Sequence, residues 1–237
     1  MIHLKAYPTI VFICFFLVQT ALISTGCSNV TPMSSVTYAR TPNIDTAKEA
    51  KQLLIEGNQR FVAGEVLNDD LSLDKRKELS ENGQHPFAVI VSCSDSRVPP
   101  EILFDQSLGD LFVIRNAGNV IDTVGLGSIE YGVEHLETPL ILVLGHENCG
   151  AVKAVVDGAE AQGSLPAILK KIQPAYEKAK LDTQSQSDLY EKCAEENVHQ
   201  TIAEIRKSTV IQHLEHEKKL EIIGGKYDIQ TGEVHFF

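Results

Sequence analysis

The sequence predicts an α/β protein: a mainly parallel β-sheet flanked by helices, with an N-terminal helical arm and an antiparallel edge strand. Two observations carry this. Residues 87–91 (FAVIV), 111–114 (LFVI) and 140–144 (LILVL) are unbroken apolar runs without alternation, which marks strands buried on both faces. Helical segments separate them, and strand–helix–strand order implies crossovers within one parallel sheet.

The elements follow in order. Residues 45–65 read as a helix with Leu53, Leu54, Phe61 and Val62 on one face and Asp45 or Thr46 as its cap. A short helix covers 73–81. After the first two strands, residues 124–136 form a helix with Ile129, Val133 and Leu136 inward. Another helix opens after Cys149, over 151–156. Residues 166–180, 187–206 and 210–217 are helical, and 220–224 is a further apolar run. Residues 229–234 make a turn before an edge strand, with Gly232 supplying positive φ.

Composition sets the bounds. The chain has 237 residues, 43% hydrophobic and 22% charged, which describes a globular protein. Its formal net charge of −11 argues against nucleic acid as a partner. Residues 1–26 are set apart. Lys5 precedes an apolar run over 9–23 that suits a secretory signal better than a membrane span. The run ends in Ile23-Ser24-Thr25-Gly26-Cys27, which resembles a bacterial lipobox and implies cleavage before Cys27 and a lipid on its thiol. The expected division is a signal peptide at 1–26, a flexible tether at 27–44 rich in Ser, Thr, Pro and Asn, and a folded domain at 45–237. The expected location is periplasmic, attached to a bacterial membrane through the N-terminal lipid only.

Two motifs carry the chemistry. Cys93-Ser-Asp95-Ser-Arg97 follows the first strand, and His146-Glu-Asn-Cys149-Gly150 follows the third. Sites in open α/β sheets lie beyond the carboxyl ends of strands, so two loops deliver Cys93, His146 and Cys149 to one edge. Two thiols and an imidazole suit Zn²⁺, and a catalytic zinc has three protein ligands and an open position. A helix start at Cys149 favours its thiolate. Asp95 is the fourth candidate. On the metal it closes the site; paired with Arg97 it leaves a coordination position for water. Of the remaining cysteines, Cys14 leaves with the signal and Cys193 reads as a partly buried free thiol in a helix.

The stretch from Cys93 to Glu101, the segment GDLFVIRNAGN at 109–119 and GHENCGAV at 145–152 resemble a β-class carbonic anhydrase. So do 54–61, 128–133 and 220–232. The resemblance implies interconversion of CO₂ and bicarbonate by zinc-bound hydroxide. It implies zinc on Cys93, His146 and Cys149, with water or Asp95 as the fourth ligand and Asp95–Arg97 as a gating dyad. Gln84 matches a substrate-binding residue that often acts across a dimer interface. Phe112, Ala117 and Tyr131 match the lining of an apolar CO₂ pocket, with core packing as the other reading of Phe112 and Tyr131. Gly150 matches a position whose backbone N–H faces substrate. His85 is a candidate proton shuttle. The implied assembly is a homodimer or homotetramer in which the N-terminal helices embrace a partner. CS₂ or COS hydrolysis on the same fold and a non-catalytic closed zinc site stand as alternatives.

Overall fold

The computed structural model describes residues 44–67, 70–183 and 185–237. The expected signal peptide, Cys27 and the tether up to residue 43 lie outside the described residues. Helix α1 (Ala47–Ala63) starts at Thr46, whose side chain accepts from Glu49 N–H, and ends at Gly64 with φ 70°. That is the left-handed stop that glycine makes without strain. Helix α2 (Leu73–Asn82) follows, capped by Ser72.

The sheet is built from β1 (Ala88–Ser92), β2 (Leu111–Arg115), β3 (Leu140–His146), β4 (Glu221–Tyr227) and β5 (Val234–Phe236), in the order β2-β1-β3-β4-β5. The first four are parallel, and β5 pairs antiparallel with β4. Side chains alternate across a sheet, and here both faces are covered. Ala88, Ile90, Leu142 and Leu144 pack with Leu54 of α1 and with Leu103 and Phe104. Val89, Val91, Ile141 and Val143 pack against Ile129 of α4 (Thr123–Glu130) and against Val198, Ile202 and Ile205 of α7 (Gln186–Ile205). Two apolar faces per strand are why the runs show no alternation.

A third cluster lies at the carboxyl end of the sheet. It joins Cys93 and Cys149 to Val152 of α5 (Gly150–Val156), Ile172 of α6 (Leu165–Asp182) and Cys193 and Ala194 of α7. Helix α8 (Thr209–His216) leads into β4. From β1 the chain steps to one side, to β2; from β3 it steps to the other, to β4. The switch point between β1 and β3 is where an open α/β sheet forms its binding crevice.

Four expectations change. Strand β2 is half-buried throughout, because it is the sheet's edge in this chain. The helix after residue 123 ends at Glu130 and passes into a π-helical turn, Tyr131–His135. A short helix α3 (Pro100–Leu103) follows the first motif. Cys193 is fully buried, and burial pushes its thiol up to about 12, so it is inert.

Candidate metal centre

Cys93 stands one residue past β1, His146 is the last residue of β3, and Cys149 precedes the first turn of α5. Register places Ser92 beside Leu144, so the two strand ends release their motifs side by side. The metal-ligating atoms of Cys93, His146 and Cys149 lie within 4.8 Å of one another, and all three residues are buried.

The imidazole is oriented for a metal. Its Nδ1 lies 2.8 Å from the Glu147 carbonyl, a contact that requires Nδ1–H as donor and leaves a lone pair on Nε2. Nε2 is buried without a hydrogen-bond partner. An orphaned buried polar atom costs about 1–3 kcal/mol; a metal ion facing the two sulfurs satisfies it. A backbone carbonyl fixing the far nitrogen of a ligating histidine is the usual arrangement around such an ion.

The sulfurs are prepared in the same way. Gly118 N–H donates to Cys93 Sγ at 3.2 Å and Asp95 N–H at 3.4 Å. The Cys93 thiol is pulled well below its ordinary value by its hydrogen bond with Cys149, then by His146 and these two N–H groups, against its burial. The same shared hydrogen bond, with burial, pushes Cys149 up. Of the two sulfurs, Cys93 is the one whose surroundings favour the thiolate that a metal requires.

Asp95 and Arg97 face each other. Oδ1 accepts from Arg97 N–H and Nε at 2.9 Å each, and Oδ2 accepts from Nη2 at 2.7 Å. Arg97 holds the Asp95 carboxyl well below the usual carboxylate range, helped by its backbone N–H. Arg97 Nη2 also reaches the Asn148 carbonyl at 3.4 Å, tying the first motif to the second.

Two supports escaped sequence reading. Arg115, at the end of β2, donates through Nε to the Cys93 carbonyl at 2.9 Å and through Nη2 to the Asp95 carbonyl at 2.6 Å. Asn197 and Thr201 of α7 hold the 3₁₀ turn Ala117–Asn119, donating to the Gly118 carbonyl at 2.7 Å and the Asn119 carbonyl at 3.2 Å. Arg115 lies within the 109–119 segment, but nothing in the sequence says which carbonyls it reaches.

The predicted pocket residues divide. Ala117 lines a cavity of about 410 Å³ with Ser94, Val120, Ile168 and Lys171 beside the Cys93 loop. Gly150 opens α5 at the site. Gln84 and His85 do not reach it: both are exposed and precede the amino end of β1, while Cys93 follows its carboxyl end. Phe112 pairs with Val89, four residues back from Cys93, or about 13 Å at ~3.3 Å per strand residue. Its ring meets Tyr131 at 6.0 Å, and Tyr131 is 47% exposed, so core packing does not account for Tyr131.

Fold and site together define an α/β protein with a candidate metal centre at its switch point. The carbonic anhydrase family model matches residues 88–234. Carbonic anhydrase 2 of Mycobacterium tuberculosis is 43% identical over 188 residues, covering 77% of this chain and 89% of that protein. The solved β-carbonic anhydrase CcaA is 33% identical with a TM-score of 0.65, covering 80% of this chain and 88% of that one. A β-carbonic anhydrase of Sordaria macrospora, described as tetrameric, is 25% identical with a TM-score of 0.63 over 69% of this chain and 88% of that one. This chain belongs to the β-class carbonic anhydrase family.

Proposed function

We propose that this carbonic anhydrase interconverts CO₂ and bicarbonate with zinc held by Cys93, His146 and Cys149, while Arg97 keeps Asp95 off the metal. The observation that carries the reading is the Asp95–Arg97 pair beside a buried Cys–His–Cys set whose imidazole nitrogen lacks a partner. Two sulfurs and one nitrogen suit borderline-soft zinc. When bound, zinc lowers the pKa of water from 15.7 toward about 7.

The chain's own groups do the rest. Asp95 Oδ2 accepts only from Arg97 Nη2 and keeps a second lone pair, through which the carboxylate accepts a hydrogen bond from the reacting water and orients it. Gly150 N–H, in the first turn of α5, has no acceptor inside its helix and faces product oxygen. The Ala117 cavity admits CO₂. The non-catalytic reading needs Asp95 on the metal, and three hydrogen bonds from Arg97 oppose that.

Gln84, Phe112 and Tyr131 serve the site of a second copy. Their distance from their own Cys93, the exposure of Tyr131 and the unpaired edge at β2 favour this. Sedimentation velocity checks it, with a dimer or tetramer expected and a monomer contrary. Export and lipid attachment at Cys27 rest on the sequence of residues 1–27 alone; a labelled fatty acid should be incorporated into the wild type in cells and not into Cys27→Ala, and label in neither contradicts lipidation. Stopped-flow CO₂ hydration by the metallated protein tests the activity. A rate no higher than that of Cys93→Ser contradicts the proposal.

A further inference from the structure

Asn197 is a buried amide in the middle of α7, 1% exposed and 79 residues away in sequence from the carbonyl it holds. Its Nδ2 donates to the Gly118 carbonyl at 2.7 Å. One turn further along α7, Thr201 Oγ1, also buried, donates to the Asn119 carbonyl at 3.2 Å. Gly118 therefore has its carbonyl fixed by α7 and its N–H directed at Cys93 Sγ, 3.2 Å away.

Helix α7 is itself immobilised against the strands that carry the site. A Cβ on Gly145, beside His146, would come within 2.7 Å of Val198, and one on Gly224 of β4 within 3.1 Å of the same side chain. The turn it grips is not a low-energy default. Gly118 takes φ 69° freely, but Asn119 carries a Cβ and sits at φ 46°, a left-handed backbone that persists in a non-glycine residue where the surroundings hold it.

We propose that Asn197 is a positioning residue for the metal centre. By holding the Gly118 carbonyl, with Thr201 on the next, it sets the Gly118 N–H against the Cys93 sulfur and so governs how strongly that sulfur donates to the metal. A hydrogen bond to a thiolate draws charge from it, and in a buried site that effect is little screened. Groups behind a metal's ligands change affinity by about 10–100-fold when lost. A solely structural asparagine would steady the turn without being felt at the sulfur. The inference rests on the zinc reading above.

The full-length protein is loaded with cobalt(II) or zinc(II), as wild type, Asn197→Asp, Thr201→Val and Thr201→Ser. Asn197→Asp removes the donor at nearly constant volume; Thr201→Val removes the hydroxyl and Thr201→Ser keeps it. The readouts are the sulfur-to-cobalt charge-transfer absorption and the rate of zinc transfer to a chelator, alongside the melting temperature. Asn197→Asp should displace the band and speed zinc release by about 10–100-fold. Thr201→Val should do the same to a smaller degree, with Thr201→Ser restoring wild-type behaviour. Variants that melt earlier but keep the wild-type band and release rate overturn the inference. Should Asn197→Asp not fold, the Thr201 pair decides by the same criteria. A wild type without a sulfur-to-cobalt band overturns the zinc reading itself, which separates the two failures.

Discussion

Gly118→Ala is the sharpest structural test of how the metal loop is held. Gly118 has φ 69°, and an added Cβ would lie 2.7 Å from Ile172 Cδ1 and 3.1 Å from Ala151 Cβ. Left-handed backbone costs a residue with a Cβ about 1–2 kcal/mol. Ile172 is fully buried, so its displacement is an overpacking event worth about 1–3 kcal/mol. The sum is about 2–5 kcal/mol against a total stability of about 5–15 kcal/mol. At about 2–4 °C per kcal/mol for a domain of this size, the melting point should fall by roughly 4–20 °C. Gly127→Ala is the control: its Cβ would meet nothing within 4 Å inside α4, and removing a helical glycine should stabilise by about 0.5–1 kcal/mol. Differential scanning calorimetry on both variants is the assay. A Gly118→Ala protein that melts with the wild type, or a Gly127→Ala protein that falls as far, refutes the packing argument.

Other perturbations probe the chemistry. Asp95→Asn should keep its zinc and lose about 10²-fold or more in CO₂ hydration rate; full activity would remove Asp95 from the proposed mechanism. For Arg97→Leu, the sign follows from Asp95, which Arg97 holds below the usual carboxylate range. The carboxylate therefore stabilises the fold above its unfolded value of about 3.9, and that contribution is lost as pH falls through the lower folded value. Denaturant midpoints of wild type and Arg97→Leu should differ modestly at neutral pH, since Arg97 is half exposed, and should start to converge only as pH falls below about 4. A gap that widens on acidification would contradict the pairing. Arg115→Met strips the Cys93 carbonyl of its donor and should lower both stability, by about 1–3 kcal/mol, and zinc retention in equilibrium dialysis.

Much of this was legible in the chain, for identifiable reasons. Strands β1 and β3 are covered on both faces, so their apolar runs are unbroken and could be read directly. The ligand set was legible because Cys93, His146 and Cys149 each stand at a strand or helix end. The edge position of β2 was not, since Leu111 to Ile114 is as apolar as a central strand and only the pairing order shows which side is open. Helix α3 was hidden by Pro99-Pro100; proline discourages helix for the residue before it yet suits the first helical position, and Pro100 occupies that position. Arg115, Asn197 and Thr201 act on backbone carbonyls 20 to 82 residues away, and polar contacts at that separation leave no periodic trace. Gln84 shows the opposite limit: a motif match located the residue, but only the strand direction shows that it stands at the wrong end of β1 to serve its own Cys93.

The central claim is a metal held by three side chains with Asp95 withheld by Arg97. Zinc K-edge X-ray absorption on the metallated wild type and on Asp95→Ala, both at alkaline pH, tests it. The account predicts two sulfurs at about 2.3 Å and one nitrogen at about 2.0–2.1 Å, with a fourth light atom that persists unchanged in Asp95→Ala. Loss of that light ligand in the variant, or a first shell lacking two sulfurs, would contradict it.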